Sequence, residues 1–489
     1  MLFRTLLTEV GLDTLARIAG DAEITCVTSD SRQCKPGCCF VAVAGSKVDG
    51  HDFIDRAISS GASAVISQKS VDLPENFPHA IVSDTQRTLG LCAQKLAGSP
   101  ANKMTCVGIT GTNGKSTVAH LVHSIFKLAK LKSGMIGTIT YETASRSIPA
   151  TMTTPPAEHL AQMMKEMVDA GVTHLVMEVS SHALDQKRTA GIDFEVAAFT
   201  NLSGDHLDYH KTMDDYLAAK ATLFTNLSAD SWAVLNCDDK ASAKISETVI
   251  AKICNYGLTP LADLRARIER IDANGSVFDI IYRGESAEVH TPLIGRHNVY
   301  NCLAACGICL SLGMDLYDIA KYLGRISNVP GRLQRVESNA DLNVFVDYAH
   351  TDDALANVLG AMRPIAKGRV IVVFGCGGDR DKTKRPRMAK IAHDLADYSI
   401  VTSDNPRTEN PDEIIKDIIA GFEGDTGKCL IEVDRRKAIA RAIEMATPED
   451  VVLIAGKGHE DYQLINGIKN HFDDVEVASE FIRKREASS

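Results

Sequence analysis

Nowhere does this sequence run apolar for long enough to cross a bilayer, which sets membrane-spanning proteins aside. An excess of basic charge is missing too. Lysine and arginine number 53 against 63 aspartate and glutamate, a net charge of -10. That balance gives no support for a nucleic-acid or membrane-surface protein, and it requires any anionic substrate to meet a locally positive pocket. Low-complexity tracts and short repeats are likewise lacking. The opening MLFRTLLTEVGLDTLARIAG carries glutamate and aspartate inside its apolar stretch and no small-residue cleavage site, so it predicts an amphipathic helix instead of a secretory leader. Cysteine is plentiful at thirteen, but matched C-x-x-C pairs are absent, so the grouping of Cys26, Cys34, Cys38 and Cys39 has no zinc-site spacing. Irregular spacing inside apolar runs such as Cys302 to Cys309 predicts reduced core thiols of a cytoplasmic protein.

What is present points to a multidomain α/β chain. The 489 residues, 45% apolar, are too many for one core and predict two to four domains. Short buried strands are expected at Ala64 to Ile66 and Ala80 to Val82, in a small α/β unit ending near Gly98-Ser99-Pro100. A second unit opens with a strand at Thr105 to Ile109, then a glycine loop, then Val118, Leu121, Val122, Ile125 and Phe126 at helical spacing. Further strands at Leu175 to Val179, Val196 to Thr200 and Trp232 to Leu235 alternate with helices, as in a mostly parallel, doubly wound sheet. A third unit repeats the alternation at Val344 to Asp347, Val370 to Phe374, Ser399 to Thr402 and Val451 to Ala455, after a linker at Asn328 to Arg332. The expected domains are 1–100, 101–330 and 331–489. Several strands end in polar residues, namely Glu178, Thr200-Asn201, Asp347, Gly375 to Asp379, Asp404 and Gly456, where open parallel sheets bind ligands.

The loop Gly108-Ile-Thr-Gly111-Thr-Asn-Gly114-Lys115-Ser116-Thr117 sits between a buried strand and an amphipathic helix. Such a loop turns backbone N–H groups around phosphate oxygens, with Lys115 reaching the terminal phosphates and the Ser116 hydroxyl available to Mg²⁺. The common G-x-x-x-x-G-K-[ST] form fails at Ile109, and an ordinary βα turn containing lysine is the alternative. Glu178, His206 and His210 are equally compatible with capping or backbone-bonded loop residues, and Lys220, placed on a helix, reads by spacing alone as a solvated lysine.

GTNGKST from Gly111, MEVSSHALDQKR from Met177, FTNLSGDHLDYH from Phe199, GRHNVYN from Gly295, PGRLQRV from Pro330 and VDYAHTDDAL from Val346 together resemble the Mur ligases, whose nucleotide loop has this shortened form. The resemblance runs from about Asp30 to the C-terminus. It implies three domains: a small N-terminal α/β domain that binds UDP, a central P-loop parallel-sheet ATPase domain and a C-terminal Rossmann-like domain that binds an amino acid. It further implies a cytoplasmic, monomeric ATP-dependent peptide ligase that phosphorylates a carboxylate and passes the acyl group to an amine, with two Mg²⁺ ions. Ser116 and Glu178 would hold the first ion, and His206 and Lys220 the second, Lys220 as N6-carboxylysine, which requires an amine that has lost its proton.

The same resemblance assigns ATP to Gly111, Thr112, Asn113, Gly114, Lys115, Ser116, Thr117, Asn298, Arg332, Asp347 and His350. It assigns the UDP end of a UDP-N-acetylmuramoyl-dipeptide to Ser29, Ser31, Ser46, Lys47 and Val48, and its muramoyl-peptide to Thr153, Thr154, Ser180, Gln186, Arg188 and Lys220. At Met152, where the family often has Asn, a contact would run through the backbone or be absent. Asp404-Asn405-Pro406-Arg407 is similar to the motif of members that accept meso-diaminopimelate, where a guanidinium pairs bidentately with the distal carboxylate. Arg380, Gly456 and Glu460 complete that set, with Glu460 receiving the distal ammonium. A lysine-adding relative, a folylpolyglutamate synthetase and a P-loop switch protein are the competing possibilities.

Overall fold

Buried β-branched runs such as VIVVF at Val370–Phe374 have no polar face to turn to water, and they form the inner strands of three sheets. The structure, a computed structural model, describes residues 1–12, 17–45, 48–327, 329–338, 341–424 and 427–488. Ser46, Lys47 and the linker residue Asn328 therefore lie outside the described residues.

The first sheet has five strands in the order Arg17–Ala19, His79–Ile81, Ala62–Ser67, Cys38–Val41, Cys26–Thr28, parallel except for the first. The N-terminal helix is shorter than the sequence pattern suggested. It spans Phe3–Glu9 and stops in a left-handed turn at Gly11 (φ +74°), where Gly11 N–H reaches Thr8 O at 2.9 Å and Leu12 N–H reaches Leu7 O at 2.9 Å. Arg17–Ala19 is an edge strand. Phe3, Leu6 and Leu7 still bury the helix's apolar face against Ala64, Ile66 and Ala80.

Eleven strands form the second sheet, ordered Glu285–Thr291, Gly275–Tyr282, Leu264–Asp272, Lys252–Gly257, Trp232–Asn236, Val196–Phe199, Thr105–Thr110, His174–Glu178, Ser133–Ile136, Thr140–Glu142, Ser147–Pro149. Its middle is parallel, and antiparallel turns finish both edges. The meander Leu264–Thr291 was not anticipated, although Ala287, Val289 and Thr291 bury on alternate positions as a half-exposed strand requires. Thr105–Thr110 lies between His174–Glu178 and Val196–Phe199, with Ile109 opposite Glu178 and Thr110 opposite Phe199. The phosphate loop, Glu178 and Thr200 thus leave the sheet side by side. Helix Lys115–Leu128 packs Val118, Leu121, Val122, Ile125 and Phe126 into the core, at the spacing read from the sequence.

The third sheet, six-stranded, runs Gln334–Arg335, Asn343–Asp347, Val451–Ala455, Val370–Phe374, Tyr398–Val401, Cys429–Ile431. Val451–Ala455, the last strand of this sheet in sequence, sits between Asn343–Asp347 and Val370–Phe374, so the order reverses there and opens a crevice at the carboxyl ends. Asp347, Gly375, Thr402 to Arg407 and Gly456 gather at that crevice.

Gly331, in the connection between the second and third sheets, has φ +66°, and a Cβ there would lie 2.1 Å from the His459 backbone nitrogen. Tyr348 N–H also donates to its carbonyl at 2.9 Å. Gly331→Ala is expected to destabilise the protein by about 1–3 kcal/mol, because both backbone conformation and space are denied to a side chain. The check is the urea midpoint followed by circular dichroism; an unchanged midpoint would show that the turn relaxes freely.

Candidate active site

Gly111 (φ +146°) and Gly114 (φ +87°) turn the chain from strand Thr105–Thr110 into helix Lys115–Leu128. A Cβ on Gly111 would meet Thr200 Oγ1 at 1.9 Å and one on Gly114 would meet Asn301 Oδ1 at 2.4 Å, so no side chain fits where the loop passes. The first N–H groups of the helix have no intrahelical acceptor and point out of its end. Lys115 folds back over the loop, its Nζ donating to Gly111 O (3.0 Å) and Thr112 O (2.7 Å). Asn113 and Thr112 are held by Asn201, and Thr200 Oγ1 donates to Asn113 O at 2.6 Å.

Lys220 is not the solvated lysine that its helical setting suggested. It is 1% exposed, its Nζ donates to the same Gly111 carbonyl at 2.7 Å, and it lies 4.2 Å from the Tyr216 ring centre. Burial, aided by the charge of Lys115, drives its ammonium pKa well below the ordinary value. Burial also lowers Lys115. Ser116 Oγ donates to Glu178 Oε2 at 2.9 Å, and Thr138 donates to the same carboxylate through N–H (2.8 Å) and Oγ1 (2.9 Å). These are hard oxygen donors at one point on the loop, a set that suits Mg²⁺. His206, with φ +55°, places its ring edge-on to His182 at 4.8 Å and its Nε2 3.4 Å from Asp205 Oδ2. His206 and Lys220 flank Tyr216.

A cleft of about 930 Å³ holds Thr112 to Thr117, Glu178, His206, Asn298, Arg332, Asp347 and His350 among its walls. Asn298 Nδ2 donates to Ile294 O, and Asp347 accepts Leu333 and Ala349 N–H at 2.7 Å each, with its pKa raised by burial against the pull of Arg332. Arg332 reaches across the connection to Ser116 Oγ at 3.0 Å and stacks on Tyr348 at 4.9 Å.

A second cleft of about 620 Å³ contains Arg380, Asp404, Asn405, Arg407, Gly456 and Glu460. It shares Asp205, His206, Tyr348, His350 and Thr351 with the first. Arg407 has φ +54° and donates from Nη1 to Gly378 O at 2.7 Å, while Pro406 packs its carbonyl where a Cβ on Gly378 would lie. Glu460 Oε2 accepts from Asn405 Nδ2 at 2.8 Å, and burial raises its pKa.

The muramoyl-peptide candidates form one strip. Thr154 Oγ1 donates to Glu178 O (2.8 Å) and accepts from Ser180 N–H, Arg188 Nη1 donates to Thr154 O (2.7 Å), and Gln186 Oε1 accepts from Arg188 Nη2 (2.7 Å). Thr153 meets Thr138 at 3.1 Å. Met152 lies beside this strip, its carbonyl accepting from Tyr141 O–H at 2.5 Å and its Sδ from Arg188 Nη1 at 3.3 Å. Ser29, Ser31 and Val48 stand apart from both clefts: Ser29 N–H and Oγ donate to Glu158 Oε1 at the seam with the central sheet, Ser31 is buried and Val48 is exposed. Sequence reasoning overlooked Thr138, Tyr348, Lys384 and Asp353. Asp353 accepts from Asn113 Nδ2 (2.9 Å) and Ser203 Oγ (2.8 Å), and Lys384 donates to His350 O (2.9 Å). Only the acidic pair after VDYAHT marked Asp353, and nothing local marked Thr138.

At the rim of the second cleft Glu409 accepts from Arg385 Nη2 at 2.9 Å and from Asp379 N–H, and Arg385's guanidinium holds its carboxyl down at about 2 instead of 4.5. A folded-state pKa below the unfolded one adds stability above pH 4.5 that is lost as pH falls toward 2. Glu409→Gln is therefore expected to be less stable than wild type at neutral pH, with the gap closing between about pH 4.5 and 2 in urea titrations. A gap independent of pH would remove the ion pair as its cause.

Residues 109–309 match the Mur ligase middle domain, 331–458 the Mur ligase glutamate ligase domain and 23–90 the Mur ligase family catalytic domain. The UDP-N-acetylmuramoyl-L-alanyl-D-glutamate--2,6-diaminopimelate ligase of Bacillus licheniformis is 44% identical over 468 residues, 94% of this chain and 95% of the relative. The protein of that name from Gloeobacter violaceus is 44% identical over 487 residues, 99% of both chains. A solved structure with the same name superposes with a TM-score of 0.71 at 33% identity, covering 98% of this chain and 99% of the other. MurF ligase from Thermotoga maritima in complex with ADP shares the fold, with a TM-score of 0.62 at 20% identity over 95% of this chain and 98% of that one. Matches to all three domains, with relatives of this identity over nearly the whole length, place the chain in the Mur ligase family.

Proposed function

We propose that this protein adds meso-2,6-diaminopimelate to UDP-N-acetylmuramoyl-L-alanyl-D-glutamate at the expense of ATP, in peptidoglycan precursor synthesis. The observation that carries it is the meeting of two clefts at His206, Tyr348 and His350, one built on the phosphate loop and the other on the Asp404 to Arg407 turn. Relatives of 42–44% identity bear the name of this ligase. In this reading 1–100 receives the UDP end, 101–330 binds ATP and 331–489 binds the amino acid. Thirteen free thiols suit a reducing cytoplasm, where a monomer would act.

The γ-carboxylate of the D-glutamyl residue attacks the γ-phosphorus of ATP, giving an acyl phosphate and ADP. An amine of the diamino acid then attacks the acyl carbon, and the tetrahedral intermediate expels phosphate. Lys115 and the helix N-terminus neutralise phosphate charge, and the strip from Thr154 to Arg188 holds the peptide in line. Two Mg²⁺, held by Ser116 with Glu178 and by His206 with carboxylated Lys220, would supply charge neutralisation between the reacting anions. Arg407 and Arg380 answer the distal carboxylate of the acceptor, and Glu460 its ammonium. Arg332 and Asp353, reaching across the seam between sheets, support closure that keeps water from the acyl phosphate.

Phosphate release with the nucleotide dipeptide should require meso-diaminopimelate and ignore L-lysine. Arg407→Ala should lower kcat/KM for meso-diaminopimelate by about 30-fold or more, the loss of one charge-assisted pairing worth ~2 kcal/mol or more. Release that ignores both acceptors would sink the ligase assignment, and stimulation by L-lysine alone would refute the role of Arg407.

Burial that lowers the Lys220 pKa favours the free amine that CO₂ must meet to give a carbamate. Enzyme equilibrated with ¹³C-bicarbonate should show one carbamate resonance that is missing in Lys220→Ala, whose kcat should fall by about 100-fold or more. The resonance should fade on acidification, since a proton and CO₂ compete for the same lone pair. Its absence from wild type at neutral pH would exclude the modification.

A further inference from the structure

Two cations are buried behind the second cleft without lining it. Lys457, its side chain fully inaccessible, is turned inward between Gly456 (φ +117°) and Gly458 (φ +54°). Its Nζ lies 3.3 Å from Asn405 Oδ1 and 3.3 Å from Glu460 Oε2. Asn405 itself donates to that same Oε2, and its Oδ1 also accepts Leu464 N–H at 2.8 Å. Glu460 Oε1 takes no bond from the described residues, which leaves it for a ligand.

Arg435 is the second cation, equally inaccessible. Its Nε and Nη2 donate to Asp474 at 2.8 and 2.7 Å, and Nη2 donates to Ala455 O at 3.0 Å, the residue before Gly456. Among the described residues Nη1 has no hydrogen-bond partner, and it stands 4.0 Å from Asp404 Oδ2. Asp404 is wedged there, for a Cβ on Gly456 would lie 2.8 Å from its Oδ2. Burial alone would raise the Asp404 pKa, but Lys457 and Arg435 outweigh it and the net shift is downward.

A buried carboxylate that must accept an ammonium has to stay ionised and keep its direction, and a cation behind it secures both. We propose that Lys457 and Arg435 are positioning residues for the diamino acid: they tie the Asp404 to Arg407 turn to the Gly456 to Glu460 turn and keep the carboxylates of Asp404 and Glu460 directed at the cleft. The proposal rests on the assignment of that cleft to an amino acid carrying two ammonium groups.

The test compares wild type, Lys457→Met and the double variant Arg435→Met with Asp474→Leu, which removes a buried pair without leaving a lone charge. Each variant should raise KM for meso-diaminopimelate by about tenfold or more while KM for ATP and for the nucleotide dipeptide stay within about twofold. Unchanged KM for meso-diaminopimelate in both variants, or a joint rise of all three constants with an earlier melting transition, would overturn the positioning role. Wild type that releases phosphate without regard to meso-diaminopimelate would overturn the cleft assignment as well, so the two failures are told apart by the first sample.

Discussion

Two lysine ammonium groups donate to one backbone carbonyl, that of Gly111, and the site is arranged around this concentration of positive charge. Both are drawn out of water at a point where a polyphosphate and a carboxylate must approach each other. Their mutual repulsion is tolerable only because the loop carbonyls accept from both and Glu178 and Asp205 lie nearby. The same crowding and burial weaken the hold of Lys220 on its proton, which an exposed lysine would keep firmly. Glycine at 111 and 114 is a condition of this packing, since Thr200 and Asn301 occupy the space any side chain would need.

A site divided between sheets needs ties across the seam, and these are polar. Arg332 bonds Ser116 of the loop, Asp353 accepts from Asn113, and Ser29 donates to Glu158. Polar ties can be exchanged for ligand contacts at small net cost, whereas the sheet cores, built from Val, Ile and Leu, cannot rearrange so cheaply.

Strand ends were legible because apolar runs of five or six residues stop at polar ones, and the crevice follows from parallel topology. The phosphate loop was legible for the same reason: Lys115 and Ser116 are local in sequence to the glycines that shape them. Lys220 was not. Tyr216, Leu223 and Phe224 share its helix face, but a lysine in such a row ordinarily reaches past it to water, and its bond to Gly111, 109 residues away along the chain, keeps it inside. The N-terminal helix was read too long because the apolar pattern continues past Gly11, where the backbone leaves the helix in a left-handed turn. The meander Leu264–Thr291 escaped notice because its strands alternate with charged residues and resemble loops.

The sequence by itself determined the alternation of strand and helix, the glycine loop and the kinds of side chain at each strand end, all of which depend on neighbours a few residues apart. Tertiary structure alone decided which strand ends meet, which way the ionisable groups face and how far each is removed from water. The physical reason is that burial and charge pairing are properties of distant contacts. Asp404 owes its setting to cations on Arg435 and Lys457 that arrive from other turns of the chain.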